Sequence, residues 1–412
     1  MLTIENIGEL LVVPPGPVPG RAMRNVRRIP SAAVLVDGER IAWFGPQAEL
    51  NAPTGCESID ARGGCLLPGL IDCHTHAVFA GTREAEFVQR IEGKSYLQIA
   101  HQGGGILATV DAVRNATCDD LVAEAKPRLA RMLRNGVTTM EIKSGYGLNV
   151  HEEIKMLQAV RRLADLQPIE LVGTYLAAHT TPGEFAGHSD AYLDAVLDDK
   201  VLGRLRDEGL AEFCDVFCET TAFDLAQARR VLEAGARFGL RPKLHADQIH
   251  AIGASRLAGE VGAISADHLE KIDDAGIAAI KAAGCVAVLL PGCSFFLGVE
   301  QAPARRLLAA DVPVALATDY NPGSAMIESL PLVLTIACTQ MRMTPTEAVV
   351  AATANAAAAL NRHNRVGAVQ VGMSADLLVL DVPSIERWLY EPGRNCVHTV
   401  VKAGRVVVRR ER

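Results

Sequence analysis

His74 and His76 stand two residues apart at the end of the apolar run "PGLIDCHTH". In an extended strand alternate side chains share a face, so both imidazoles point one way and Thr75 points the other. Two converging neutral imidazoles suit a divalent metal; two solvated histidines beside a turn are the plain alternative. Further along, His245 closes a run in "RPKLHADQ", His268 another in "GAISADHLE", and Asp319 a third in "VPVALATDYNPG". Three histidines and one carboxylate around an ion, with room for water, make an open catalytic site in which the bound water's pKa falls toward neutrality. The natural chemistry of such a site is hydrolysis.

The elements that must gather these residues are legible as a series. Between about residue 65 and residue 325, eight apolar, β-rich runs alternate with helical patterns: "CLLPGLIDCHTH", "GVTTMEIKSGYG", "IELVGTYLAAHT", "EFCDVFCE", "RPKLHADQ", "GAISADHLE", "CVAVLLPGC" and "VPVALATDYNPG". Leu66, Leu67, Leu70 and Ile71 read as one short buried strand. Eight strand-helix units are the signature of a closed (β/α)8 TIM-like barrel, whose active site lies at the C-terminal strand ends, where the polar residues sit. An open doubly wound sheet would need a glycine-rich phosphate turn after an early strand, and "GGG" at 103–105 follows none. Outside the barrel, "AAVLVDGERIAWFGP", "ADLLVLD" and "HTVVKAGRVVVRRER" are period-two strands with glycine turns. The expected division is therefore residues 1–64 and 363–412 in a small β-sandwich domain built from both termini, around a barrel of residues 65–362. In "TPTEAVVAATANAAAALN" a helix is expected, with Thr344 as N-cap, Pro345 at the first position and Glu347 completing a capping box.

Composition removes several classes of function. The 412 residues are 49% hydrophobic, enough for a sizeable core, and 48 acidic against 41 basic residues give a formal charge of −7. No basic cluster is dense enough to follow a phosphate backbone, so nucleic acid is not an expected partner. No signal peptide and no membrane-spanning run is evident, which points to a soluble cytoplasmic protein. The ten cysteines are scattered without a Cys-x-x-Cys pair. Cys214 and Cys218 lack further partners at zinc-ligand spacing, so reduced, mostly buried thiols are expected.

The motifs "PGLIDCHTH", "KLHADQ", "SADHLE" and "ATDYNPGS" resemble those of the metal-dependent amidohydrolase superfamily, over nearly the whole chain. "KSGYGLN", "HQGGGILATV", "DVFCE" and "LLPGCSFFLG" resemble the branch that opens the imidazolone ring of 4-imidazolone-5-propanoate to N-formimidoyl-L-glutamate in histidine degradation. The resemblance implies one zinc or iron ion per chain, held by His74, His76, His245 and Asp319. It gives His268 the task of orienting or deprotonating the attacking water, with Asp319 sharing the proton transfer. A cyclic amide carrying a propionate also needs donors and a cation. Arg83 suits the carboxylate with its planar fork, Tyr146 offers a hydroxyl, and His179 ends the third run where it can donate to the ring carbonyl. Gln248 holds the substrate, and Asn321, Gly323 and Ser324 are implied to contact its polar end, "NPGS" being otherwise a plain turn. A homodimer suits the fold. His101, His151, His188, His250, His363 and His398 match no ligand position.

Two departures from other superfamily members bear on the reaction. Dinuclear members carry a carbamylated lysine on the fourth strand, whereas here "DVFCE" ends in Glu219. Lys143 ends the second run instead, where it supports the pocket or pairs with a carboxylate. Aromatic deaminases use a glutamate three residues after the fifth-strand histidine, and this chain has Gln248, which cannot shuttle a proton. The first departure favours a single metal, and the second favours ring opening over the nearest rival, an aminohydrolase of purine-like or triazine-like rings. A noncatalytic barrel scaffold is disfavoured because every ligand is present.

Overall fold

Gly69 divides the run "CLLPGLIDCHTH" between two sheets. In the computed structural model, which describes residues 1–94, 98 and 104–411, Cys65–Pro68 and Leu70–Asp72 are separate strands. His101, with the rest of residues 101–103, lies outside the described residues. The single strand expected over Leu66–Ile71 is thus two, both buried: Cys65–Pro68 lies between neighbours in one sheet, and Leu70–Asp72 lies at the end of the other, where the barrel closes.

The second sheet is the barrel. Strands β6 (Leu70–Asp72), β7 (Val137–Lys143), β8 (Glu170–Ala178), β9 (Phe213–Cys218), β10 (Arg241–Ala246), β11 (Ser265–His268), β12 (Val286–Leu289) and β13 (Val314–Leu316) pair in chain order, all parallel. Helices return the chain between them, several opened by the caps their sequences offer: a Thr117–Asp120 capping box before Cys118–Arg134, Asn149 before Val150–Ala164, and an Asp224–Gln227 box before Leu225–Arg237. The ring closes where the chemistry is. Beyond the ends of β6 and β13, Asp319 N–H donates to His74 O at 3.0 Å and His76 N–H to Tyr320 O at 3.0 Å. Below that seam the buried Asp72 carboxylate accepts from Thr318 N–H at 3.0 Å and from its hydroxyl at 2.7 Å. Burial pushes the Asp72 carboxyl up to about 7.

The first sheet joins the two termini. Strands β1 (Leu2–Val12), β2 (Arg27–Asp37), β3 (Arg40–Pro46), β4 (Glu57–Asp60) and β5 (Cys65–Pro68) meet β14 (Leu377–Leu380), β15 (Val397–Lys402) and β16 (Arg405–Arg409) through antiparallel pairing of β5 with β14. Ile4, Ile7, Leu10, Val34, Ile41, Leu377 and Val401 form its own core, separate from the barrel's. The Thr344 capping box forms as expected, yet the helix stops at Ala351 and a second runs over Ala354–Ala359. The break lets Asn355 bond Val18 N–H at 2.6 Å and Val314 O at 2.9 Å, tying the first segment to the barrel's last strand. All ten cysteines are free thiols. No helix among the described residues is long and apolar enough to cross a membrane.

Candidate active site and metal centre

Period-two alternation places His74 and His76 on one side just past β6, while the Thr75 hydroxyl turns away to donate to Glu141 O at 2.6 Å. His245 comes from β10, His268 ends β11, and Asp319 follows β13. Asp319 Oδ1 lies 3.5 Å from His74 Nε2 and 3.7 Å from His76 Nε2. One ring nitrogen from each of His74, His245 and His268 also falls within 4.8 Å of the others. His74 and Asp319 each present a buried side chain at one point on the barrel rim.

The imidazole tautomers are set from behind. His74 Nδ1 is 2.6 Å from Asp267 Oδ2, and His245 Nδ1 is 3.1 Å from Asp215 Oδ2. Each carboxylate accepts a hydrogen bond from Nδ1–H, which fixes the proton there and leaves the Nε2 lone pair facing the centre, as metal-binding histidines are usually arranged. Both Nε2 atoms are buried with no hydrogen-bond partner. A buried polar atom so abandoned costs about 1–3 kcal/mol, so two of them aimed at one point fit a bound cation. Burial, reinforced by Lys143, holds His74 well below the ordinary imidazole pKa; burial and His179 do the same to His76. These rings are therefore neutral and ready to ligate. Asp319 is raised by burial against the pull of His268 and His245. At His268 burial works downward, but Glu270, 3.6 Å from Nδ1, together with Asp319 and Asp267 raises the imidazole. The site also holds non-glycine residues in the left-handed region, His268 at φ 79° and Asp319 at φ 53°, a conformation that persists only where surrounding contacts enforce it.

Beneath the ligands lies a charge cluster that single-residue reasoning missed. Glu141, Lys143, Asp215, Lys243 and Asp267 are all fully buried inside the barrel. The Lys143 ammonium donates to Asp215 at 2.7 Å and Glu141 at 3.1 Å; the Lys243 ammonium donates to Glu141 at 2.8 Å and Cys73 O at 3.1 Å. His74, Glu141 and Asp267 together have the spacing of a second metal site, but two ammonium groups already supply its positive charge. Lys143 pairs with carboxylates, as the sequence suggested. The available signal was a charged residue at inward positions of apolar strands, in "MEIK", "CDVF", "PKLH" and "SADH".

On the substrate side the structure alters three expectations. His179 Nδ1 is 3.0 Å from Gly145 O, which can only accept, so Nδ1 carries the proton. Burial, with His245, pushes this imidazole down to about 3. Its Nε2 is then an acceptor, not the donor to a ring carbonyl that was expected. Its ring stacks on His76 at 5.2 Å, and Tyr146, buried, lies 5.6 Å from both rings. The Tyr146 loop is held by the buried Glu153 carboxylate, which accepts from Gly145, Gly147 and Leu148 N–H at 2.8–2.9 Å. Gly145 is obligatory there, since its φ is 106° and a Cβ would lie 2.8 Å from His179 Nδ1. Arg83 already grips a carboxylate: its Nε and Nη2 donate to Glu86 at 3.0 and 2.7 Å, leaving Nη1 beside Gly323. Asn321 spends its amide on the turn, accepting from Gly323 and Ser324 N–H at 2.8 Å and donating to Asp319 O at 2.6 Å. It shapes the rim loop and fixes Asp319, and is not free for a ligand.

The amidohydrolase family model matches residues 65–407. An imidazolonepropionase of Geobacillus kaustophilus strain HTA426 is 47% identical over 397 residues, covering 95% of this chain and 93% of the relative. One of Shouchella clausii strain KSM-K16 is 44% identical, covering 95% and 89%. The chain belongs to the amidohydrolase family, on its imidazolonepropionase branch. An adenosine deaminase of Xanthomonas campestris solved with bound zinc shares the fold, with a TM-score of 0.74 at 20% identity, over 99% of this chain and 93% of that one.

The end of β9 is where the sequence showed no lysine to bridge a second metal. Glu219 occupies it and turns to a different task. Its buried carboxylate accepts from Thr220, Ile249 and His250 N–H at 2.8–3.1 Å and from His250 Nδ1 at 2.9 Å. Those contacts brace the loop on which Gln248 sits, half-buried, three residues after His245.

Proposed function

We propose that this amidohydrolase opens the imidazolone ring of imidazolone propionate by adding water to its cyclic amide, giving N-formimidoyl-L-glutamate. The observation that carries the reading is the pair of partnerless, metal-facing Nε2 atoms of His74 and His245, beside Asp319, on a chain 47% identical to an imidazolonepropionase. His74, His76, His245 and Asp319 would hold one zinc or iron ion, with the second cation position taken by Lys143 and Lys243. Such an ion polarises a carbonyl and lowers the pKa of water at neutral pH.

The chain's own residues then divide the work. Asp319, raised by burial, takes the proton from the attacking water at its carboxylate, and His268, backed by Glu270, orients that water against the ring carbonyl. As the ring C–N bond breaks, Asp319 or His268 returns a proton to the departing nitrogen. His179 Nε2 accepts a ring N–H, Tyr146 and Gln248 line the ring, and Arg83 Nη1 binds the propionate. Reaction in 18O-labelled water tests the bond assignment: one label is expected in the new carboxylate of an opened product. An opened product whose new carboxylate carries no label would contradict this bond assignment.

A further inference from the structure

We infer that Lys143 is a positioning residue for the metal centre: one ammonium holds both carboxylates that aim the two metal-facing imidazoles. The inference rests on the ligand assignment above. Lys143 Nζ lies 2.7 Å from Asp215 Oδ2 and 3.6 Å from Asp267 Oδ2, and all three side chains are fully buried. Asp215 reaches His245 Nδ1 from β9, and Asp267 reaches His74 Nδ1 from β11 with the same Oδ2 atom that faces Lys143. The chain of contacts therefore runs His245, Asp215, Lys143, Asp267, His74, crossing the barrel interior and joining ligands from β10 and the end of β6.

Lys243 is the natural comparison, equally buried and of equal charge, but wired differently. It touches Glu141 and Cys73 O, stands 4.0 Å from Asp267, and forms no ion pair with Asp215 among the described residues. Removing Lys143 leaves two carboxylates facing each other in a volume without solvent. Any shift of either carboxylate carries the imidazole bonded to it. Removing Lys243 lowers the positive charge by the same amount while leaving the Asp215–Lys143–Asp267 link intact. Charge alone predicts equal effects from the two lysines; the contact chain predicts unequal ones.

The test is zinc affinity, measured by chelator competition on the purified full chain, for the parent, Lys143→Met and Lys243→Met. Removal of a group that orients metal ligands costs typically 10- to 100-fold in affinity. Lys143→Met should fall in roughly that range, Lys243→Met several-fold less, and the cobalt-loaded Lys143→Met should show a changed visible absorption spectrum. Should Lys143→Met fail to fold, Lys143→Gln, which keeps a donor at similar reach, takes its place. Equal affinities for both lysine variants would overturn the inference, as would folding failure of Lys143→Met and Lys143→Gln alike with zinc in excess, since the lysine would then hold the barrel and not the ligands. A parent that binds no zinc or iron would instead overturn the ligand assignment itself.

Discussion

Replacing Arg83 with alanine is the sharpest probe of substrate identity. Its side chain is 9% exposed, and Glu86 takes one donor each from Nε and Nη2, which leaves Nη1 with both of its donors for the propionate. A charge-assisted hydrogen bond in a closed pocket is worth about 1.5–3 kcal/mol. Arg83→Ala should therefore lower kcat/KM by roughly 10- to 150-fold at 1.4 kcal/mol per decade, with metal content unchanged because Arg83 is not a ligand. Gly323→Ala approaches the same atom from the other side: its Cβ would lie 2.3 Å from Nη1 and must push the tip away, so it should reproduce much of that loss. Steady-state kinetics on imidazolone propionate and on an imidazolone lacking the carboxylate supply the assay. The truncated compound should be a poor substrate for the parent and lose little more in either variant. Equal turnover of both compounds by the parent would refute the reasoning and leave Arg83 as a structural partner of Glu86.

Asp319→Ala removes a ligand and a proton acceptor together, so kcat should fall by on the order of 10²–10⁴-fold, while elemental analysis of the parent gives one metal per chain; two equivalents, both needed for activity, would contradict the single-metal reading. Asp72 supplies a pH signature in the metal-free protein. Its folded pKa is raised to about 7 from 3.8, so between those values the folded state keeps a proton that the unfolded state releases. Stability conferred by Asp72 is thus full below pH 3.8 and lost as pH rises to about 7. Denaturation of the parent relative to Asp72→Asn should show that decline at about 1.4 kcal/mol per pH unit, flat above pH 7; a difference independent of pH would count against it.

The barrel was legible because each of its strands is an apolar run closed by polar residues, and the candidate ligands were legible because they are those closing residues. What the sequence hid has physical reasons. Leucines continue across Gly69, so nothing in hydrophobicity marks the passage from one sheet to the next. The alanine-rich stretch after Thr344 has helical propensity throughout, yet it breaks near Thr353, where Asn355 finds long-range partners in Val18 and Val314. The cluster under the metal centre draws single charges from β7, β9, β10 and β11, and one charge in an apolar strand acquires meaning only when the barrel closes. Arg83 reads as a clamp in isolation; its pairing with Glu86 depends on the turn into the helix Glu84–Ile91. For His179, residue type offers both a donor and an acceptor, and only the Gly145 carbonyl decides between them.

The central claim is that this site opens a cyclic amide and does not release an exocyclic or ring amine. The most direct measurement is to incubate the purified, metal-quantified protein with imidazolone propionate and to identify the product by mass spectrometry while assaying ammonia in the same reaction. N-formimidoyl-L-glutamate formed in step with substrate consumption, with no ammonia, is the predicted result. An unconsumed imidazolone, together with stoichiometric ammonia from a purine-like or triazine-like ring, would contradict it.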